Sequence, residues 1–180
     1  MKPLSAAPSD DPATPDGINP QRHAGAGRIA TPLAFVALGG LLAAGLLGFF
    51  GGDAPTISSR HFGPANMSVR VPAILRNGEF FEMEVMVESR APITDATIAF
   101  DRPLWRNITI NTAMPAASEE TFEAGSYRMS FGPLGPGKQL VLKLDGQVNP
   151  PMFRGTAGHV RLFDGDRPVG AVPVQIKVRP

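Results

Sequence analysis

Three carboxylates are the first side chains in this 180-residue chain that could support chemistry. Glu82, Glu84 and Glu88 lie close together in the sequence. Acid–base catalysis needs two carboxylates in different environments, one of them shielded from water. These three alternate with apolar residues, which is typical of the solvated face of a β-strand. We therefore interpret them as a charged outer face and predict no catalytic residues among them.

A second acidic group, Asp164-Gly165-Asp166, resembles the start of a calcium-binding loop. The further oxygen ligands and the terminal glutamate of such a loop do not follow at the required spacings. Asp-Gly is also a strong signal for a hairpin turn. The sequence therefore predicts a turn between two strands.

The histidines do not form a recognisable metal-binding motif, since His23, His61 and His159 are far apart in the sequence. Delivery of copper by a small tethered β-domain would need converging cysteine, methionine or histidine ligands. The chain has no cysteine, and Met83 and Met86 fall on opposite faces of their predicted strand. We predict no metal site and no cofactor.

The single tryptophan, Trp105, lies between Arg102 and Arg106. Tryptophan and arginine are enriched at the centres of protein interfaces, so these three residues are candidates for contact with a partner. The alternative is that Trp105 packs in the core, as a lone tryptophan often does in a β-sandwich. The sequence favours the core position and leaves the interface open.

The elements that would position these residues begin with residues 29–50, which contain no charged side chain. A bilayer core about 30 Å thick is crossed by about 20 apolar helical residues, so we predict a transmembrane helix here. Thr31 and Pro32 suit its first turn. A cleaved signal peptide is the rival interpretation, but its apolar region is usually only about 7–15 residues long. Arg22 and Arg28 precede the segment and favour a cytoplasmic N-terminus.

Small residues recur along this predicted helix at Gly40, Ala44 and Gly48. A spacing of four residues places them on one helical face, where two membrane helices could approach closely. We predict a helix–helix contact there, with a second copy or with another membrane protein. The alternative is that glycine and alanine are simply common in such helices.

Strand-like alternation dominates the rest of the chain, most clearly at residues 80–88, where apolar and acidic side chains alternate. Residues 126–131 alternate in the same way, and residues 105–110 are a weaker strand candidate. Seven or eight short strands joined by turns predict an all-β fold, an immunoglobulin-like antiparallel β-sandwich. Pro173 within the last strand predicts an edge position. The predicted organisation is a disordered cytoplasmic tail (1–28), a transmembrane helix (29–50), a linker (51–65) and an extracytoplasmic β-sandwich (66–180).

Three short motifs in residues 66–180 carry a family resemblance. Asn77-Gly78-Glu79 precedes one alternating strand, Ala91-Pro92-Ile93-Thr94-Asp95 follows it, and Gly132-Pro133-Leu134-Gly135-Pro136-Gly137 precedes the next. This arrangement resembles bacterial immunoglobulin-like repeats of the CARDB and fibronectin type III kind. The resemblance implies a β-sandwich and a role in adhesion, spacing or partner binding.

Charge and composition narrow the function further. The net charge of +1, from 17 basic and 16 acidic residues, does not favour nucleic-acid binding. Abundant alanine, glycine, proline and arginine are typical of a bacterial protein with a GC-rich gene. We predict a non-enzymatic periplasmic binding or accessory module, tethered to the bacterial inner membrane and in contact with lipid. Its partner would be a membrane or periplasmic protein, or a second copy.

Two alternatives stay open. One is a structural or adhesive surface protein, which the sandwich fold would also suit. The other is an envelope enzyme whose active site is built from loop residues such as Asp101, Asp164 and His159.

Overall fold

The computed structural model describes residues 27–49, 55–150, 152 and 154–179, without the side chains of residues 27–31. The chain divides into two units, Met1–Leu47 and Gly48–Pro180. The predicted tail up to residue 26 and residues 51–54 of the predicted linker lie outside the described residues.

The first unit contains one described helix, α1, at Gly27–Leu46. It begins before Thr31, so Pro32 lies inside the helix and not at its first position. It ends at Leu46, and Gly48 follows in a turn with φ of 73°, a backbone conformation that glycine adopts readily at helix ends. Gly48 therefore does not share a helical face with Gly40 and Ala44. A helix–helix contact through the latter two remains a prediction.

Large apolar side chains on every side of α1 are exposed, with exposed fractions from 54% to 90%. They are Leu33, Phe35, Val36, Leu38, Leu41, Leu42 and Leu46. Among the described residues, the structure contains no helix that combines the length and the apolar character needed to cross a membrane.

The second unit is a β-sandwich, as the sequence predicts. Eleven strands are present in the described residues: β1 Thr56–His61, β2 Ala65–Val71, β3 Ile74–Arg76, β4 Phe80–Ser89, β5 Ala96–Asp101, β6 Ile108–Met114, β7 Glu119–Glu123, β8 Ser126–Ser130, β9 Gln139–Val148, β10 Thr156–Asp164 and β11 Arg167–Arg179. The first sheet has the order β1-β2-β4-β9-β6, and the second has the order β3-β11-β10-β5-β8-β7. Neighbouring strands are antiparallel except β3 and β11, which are parallel.

The core lies between the two sheets and follows the predicted alternation. On β4, Phe81, Met83, Val85 and Val87 point inward and are at most 7% exposed. The second sheet covers them with buried side chains from β5, β10 and β11, including Ile98, Phe100, Val160, Leu162 and Ile176. Because the chain has no cysteine, this apolar core and the hydrogen-bonded strands hold the domain together.

Strand boundaries differ from the prediction at four places. β1 lies within residues 51–65, the predicted linker, and pairs with β2 along its whole length. β3 and β7 are further strands that the alternation does not reveal. The strand predicted at residues 105–110 begins only at Ile108, because residues Arg102–Trp105 form a 3₁₀ helix, here named the Trp105 turn.

The edge prediction from Pro173 is wrong for β11 as a whole, since β11 lies between β3 and β10. However, β3 pairs only with Lys177–Arg179. Within the described residues, no strand pairs with β11 at Pro173 on the side of β3. Proline is tolerated there because its missing N–H leaves no ladder hydrogen bond unmade.

Candidate binding groove

β6 and β7 are the outermost strands of the two sheets on the same side of the sandwich. They follow one another in the chain, joined by residues 115–118. Every residue of β7 is exposed, and on β6 only Ile108 and Ala113 are partly buried. The two sheets therefore do not close over one another on this side.

The space between these two strands is a groove of about 460 Å³. Its accessible apolar lining comes from Trp105, Ile108, Ile110 and Met129, while Phe100 and Leu144, each 1% exposed, add little surface to it. The Phe100 and Trp105 rings contact each other with centroids 4.9 Å apart and planes tilted by 47°. Polar residues of β6 and β7, namely Asn111, Thr112, Glu120 and Thr121, also line the groove. An apolar lining with a few polar groups is the usual composition of a ligand site.

The Trp105 turn is held firmly against the second sheet. The Thr156 hydroxyl donates a hydrogen bond to the carbonyl oxygen of Pro103. The Arg102 amide donates to the carbonyl oxygen of Gly125 at 3.0 Å. Leu104 is fully buried, and a β-carbon added at Gly158 would lie only 3.2 Å from the Leu104 β-carbon. The indole is thus presented to the groove by a tightly packed support.

The sequence allows either a core position or a partner contact for Trp105, and the structure has features of both. Trp105 packs against the core and is only partly buried, so part of its ring remains in the groove. Arg102 and Arg106 are exposed and do not line the groove. Contact of these three residues with a partner remains a prediction.

β7 forms an acidic border beside the groove: Glu120 lines the groove, while Glu119 and Glu123 lie on the other face of the strand. Arg128 on β8 lies 2.6 Å from the Glu123 carboxylate and 3.3 Å from that of Asp166. Among the described residues, Glu119 and Glu120 have no ion-pair partner. This border therefore carries negative charge that the domain itself leaves uncompensated.

Arg128 itself is a feature that the alternation of β8 does not predict. Its side chain is only 13% exposed, and its guanidinium carbon lies 4.5 Å from the centroid of the Phe163 ring. The neighbouring Tyr127 lines the groove and is 45% exposed. Tyr127 contacts Phe122 of β7 with ring centroids 4.7 Å apart.

Further large apolar side chains of the groove side are open to solvent. Ile110 lines the groove and is 36% exposed, and Phe122, which contacts the groove-lining Tyr127, is 54% exposed. Met114 on β6 is 65% exposed but lies outside the groove lining. Single exposed apolar residues are ordinary, but a group of them beside an apolar groove is typical of an interaction surface.

The residues proposed for an envelope enzyme are only partly brought together. Asp101 accepts hydrogen bonds from the His159 amide at 3.0 Å and from Arg161 Nε at 2.9 Å, and its Oδ2 lies 3.1 Å from His159 Nδ1. Asp164 lies at the other end of β10, where it accepts from the amides of Thr94 and Asp95.

The electrostatics of Asp101 are those of an ion pair. Burial raises its pKa, but hydrogen bonds from Arg161 and His159 outweigh that effect, so the pKa is lower than usual. The same pairing raises the pKa of Arg161. A carboxylate held in its charged form is a weakened base. This geometry suits fixing β5 to β10 better than proton transfer.

The other acidic groups have the positions predicted for them. Glu82 and Glu84 lie 3.5 and 3.7 Å from Lys143 on the outer face of the first sheet, and Glu88 accepts a hydrogen bond from Asn66. Asp164-Gly165-Asp166 is a hairpin turn between β10 and β11, in which Gly165 has a φ of 59°. Within the described part of the chain, no group of three or more histidine or acidic residues could hold a metal ion.

No protein-family model and no curated protein matches the chain. Its fold is similar to that of a non-cellulosomal cohesin from the hyperthermophilic archaeon Archaeoglobus fulgidus, with 8% identity over 61% of this chain and 88% of that one and a TM-score of 0.39. It is also similar to a chain of the RrgA Jo.In complex, with 10% identity over 64% and 81% of the two chains and a TM-score of 0.42. A third similarity is to the Pseudomonas fluorescens alkylpurine DNA glycosylase AlkC, with 16% identity over 69% and 30% of the chains and a TM-score of 0.34. These are weak likenesses at the level of the fold, and they identify no particular protein.

Proposed function

We propose that this chain is a non-enzymatic binding module of the bacterial envelope, tethered to the inner membrane, which binds a membrane or periplasmic protein in the groove between β6 and β7. The observation that carries the proposal is the apolar lining around Trp105, left uncovered between two consecutive edge strands. Exposing an apolar surface to water is unfavourable, so a large exposed apolar surface usually marks the place where a partner or ligand binds.

The membrane tether is supported by the absence of charged residues from residues 29–50. It is supported further by the large apolar side chains that α1 exposes on all sides. A helix that is apolar all round is expected either inside a protein core or in lipid. Arg22 and Arg28 before the segment favour an orientation with the β-sandwich in the periplasm.

The absence of cysteine makes a direct test of tether and orientation practicable. Three single-cysteine variants are needed: Ala13→Cys in the predicted tail, Thr121→Cys on β7 and Gln139→Cys on β9. In spheroplasts, a membrane-impermeant maleimide should label the two domain cysteines at once and Ala13→Cys only after lysis. The full chain should also stay in the membrane pellet after alkaline carbonate washing. Release by carbonate, or labelling of Ala13→Cys before lysis, would contradict the tether.

The same variants test whether the groove is occupied in the cell. Thr121 lines the groove, whereas Gln139 is exposed on β9 and does not line it. If a partner fills the groove, Thr121→Cys should react several-fold more slowly relative to Gln139→Cys in native membranes than after purification. An unchanged ratio of the two rates would count against the groove as the binding surface.

A further inference from the structure

We infer that the groove binds an extended segment of a partner protein that carries lysine or arginine and adds as a strand to the free edge of β7. This inference rests on the proposed function, because it names the occupant of the groove. Three features of the described residues support it: the regular edge of β7, the apolar lining beside that edge, and the charge along it.

The free edge of β7 is suited to strand addition. All five residues of β7 pair with β8 without a shift in register, so its other side presents a regular row of main-chain donors and acceptors. β6, on the opposite wall, has an irregularity between Ile110 and Thr112. Such irregularities interrupt an edge and discourage pairing. An incoming strand would therefore find its hydrogen-bond partners on β7.

The lining of the groove would select the side chains of that segment. Alternate residues of an added strand point to the same side. On the groove side they would meet Trp105, Ile110 and Met129, which are apolar and at least partly exposed. Apolar residues at every second position would therefore bury surface there, while the intervening residues face solvent.

The charge along β7 disfavours pairing with a second copy of the chain and favours a basic partner segment. Glu119 and Glu120 have no ion-pair partner among the described residues, and all of β7 is exposed. If a second copy paired its own β7 antiparallel to this one, glutamates of the two chains would lie near each other. Like charges in such positions are destabilising, whereas a lysine or arginine would be attracted. The edge thus favours a basic partner segment over self-association.

The test measures binding of three labelled peptides to the full chain in mild detergent. The first peptide alternates valine and threonine and carries lysine at both ends, and the second carries glutamate at both ends instead. The third keeps the lysines but is N-methylated at alternate residues, which removes the N–H donors along one edge. Fluorescence anisotropy at low salt should show the first peptide binding about tenfold or more tighter than either control.

A charge-reversal variant assigns the binding to β7. Glu120→Lys should weaken binding of the lysine peptide about tenfold and strengthen binding of the glutamate peptide. Asp145→Lys makes the same change in charge on the outward face of β9, where the new lysine would lie opposite Glu82. It should leave both affinities unchanged. Circular dichroism on each variant would establish that the sheet content is retained.

Equal binding of the three peptides, or an unaltered preference in Glu120→Lys, would overturn the inference. So would concentration-dependent self-association that modification of Thr121→Cys abolishes, since the groove would then belong to a second copy. The proposed function fails separately, through carbonate release or an unchanged Thr121→Cys labelling ratio. Slow labelling of Thr121→Cys in native membranes, in a chain that binds none of the peptides, would still support the proposed function. It would reject only the addition of a basic strand.

Discussion

Two regions of the sandwich are packed in opposite ways. At Gly155, just before β10, and at Gly170 on β11, neighbouring atoms fill the space that a side chain would need. A β-carbon added at Gly155 would overlap the carbonyl oxygen of Ile176, and one added at Gly170 would overlap the Phe62 ring. Beside β6 and β7, about 460 Å³ stays open over an apolar lining. Substitutions at the two crowded glycines should disturb the packing, whereas the groove is where binding would occur.

The largest difference between packed and open regions should come from a matched pair of methionines. Met83 on β4 is completely buried, whereas Met114 on β6 is 65% exposed. Met83→Ala should lower the free energy of unfolding by about 2–5 kcal/mol, because it leaves a cavity in the core. Met114→Ala should change it by less than about 0.5 kcal/mol. Urea unfolding of the full chain in detergent, followed by the fluorescence of Trp105, measures both. Similar losses in the two variants would mean that the groove side is packed as tightly as the core.

Two glycines with similar backbone conformations compare a crowded position with an open one, with a smaller expected effect. Gly155 and Gly125 have nearly the same positive φ, 74° and 77°. Nothing lies within 4 Å of a β-carbon added at Gly125, between β7 and β8, whereas Gly155 is crowded. Alanine at either position incurs about 1–2 kcal/mol for the left-handed backbone. Gly155→Ala should lower the unfolding free energy by about 1 kcal/mol more, because the backbone of β11 must also move. Equal thermal-unfolding midpoints for the two variants would contradict the crowding at Gly155.

The smallest expected effect concerns the Asp101 ion pair between β5 and β10 and its dependence on pH. The pKa of Asp101 is lowered in the folded state, so its contribution to stability is present above its ordinary pKa. That contribution is lost as the pH falls through the lower folded value, below about pH 4. Asp101→Asn should remove about 1 kcal/mol at neutral pH and flatten the decline in acid.

Asp145→Asn is the control for this titration, since Asp145 is exposed on β9. Urea unfolding between neutral and acidic pH would separate the two variants. A decline in acid that is as steep in Asp101→Asn as in the unaltered chain would show that other carboxylates dominate the acid sensitivity.

The core strands could be predicted from the sequence because their alternation is strict. Phe81, Met83, Val85 and Val87 lie under the opposite sheet along the whole of β4, so each inward position needs an apolar side chain. The Asp164-Gly165-Asp166 turn was predictable for a similar reason, since its geometry depends on adjacent residues only.

β7 could not be predicted in this way. All five of its residues are exposed, so neither face has to be apolar and no alternation develops. The exposed Phe122 was the only apolar signal within it, and it contacts Tyr127 on the neighbouring strand. β1 could not be predicted either, because five of its six residues are exposed.

The sequence by itself determined that a sandwich of alternating strands follows an uncharged stretch, because both are patterns among neighbouring residues. Only the tertiary structure decided that Trp105 faces a groove, that Arg128 is nearly buried and that Asp101 meets His159 while Asp164 does not. The groove is lined by residues from β5, the Trp105 turn, β6, β7, β8 and β9. Its shape depends on where two sheets diverge, and that divergence is set by strand pairings between residues distant in the chain.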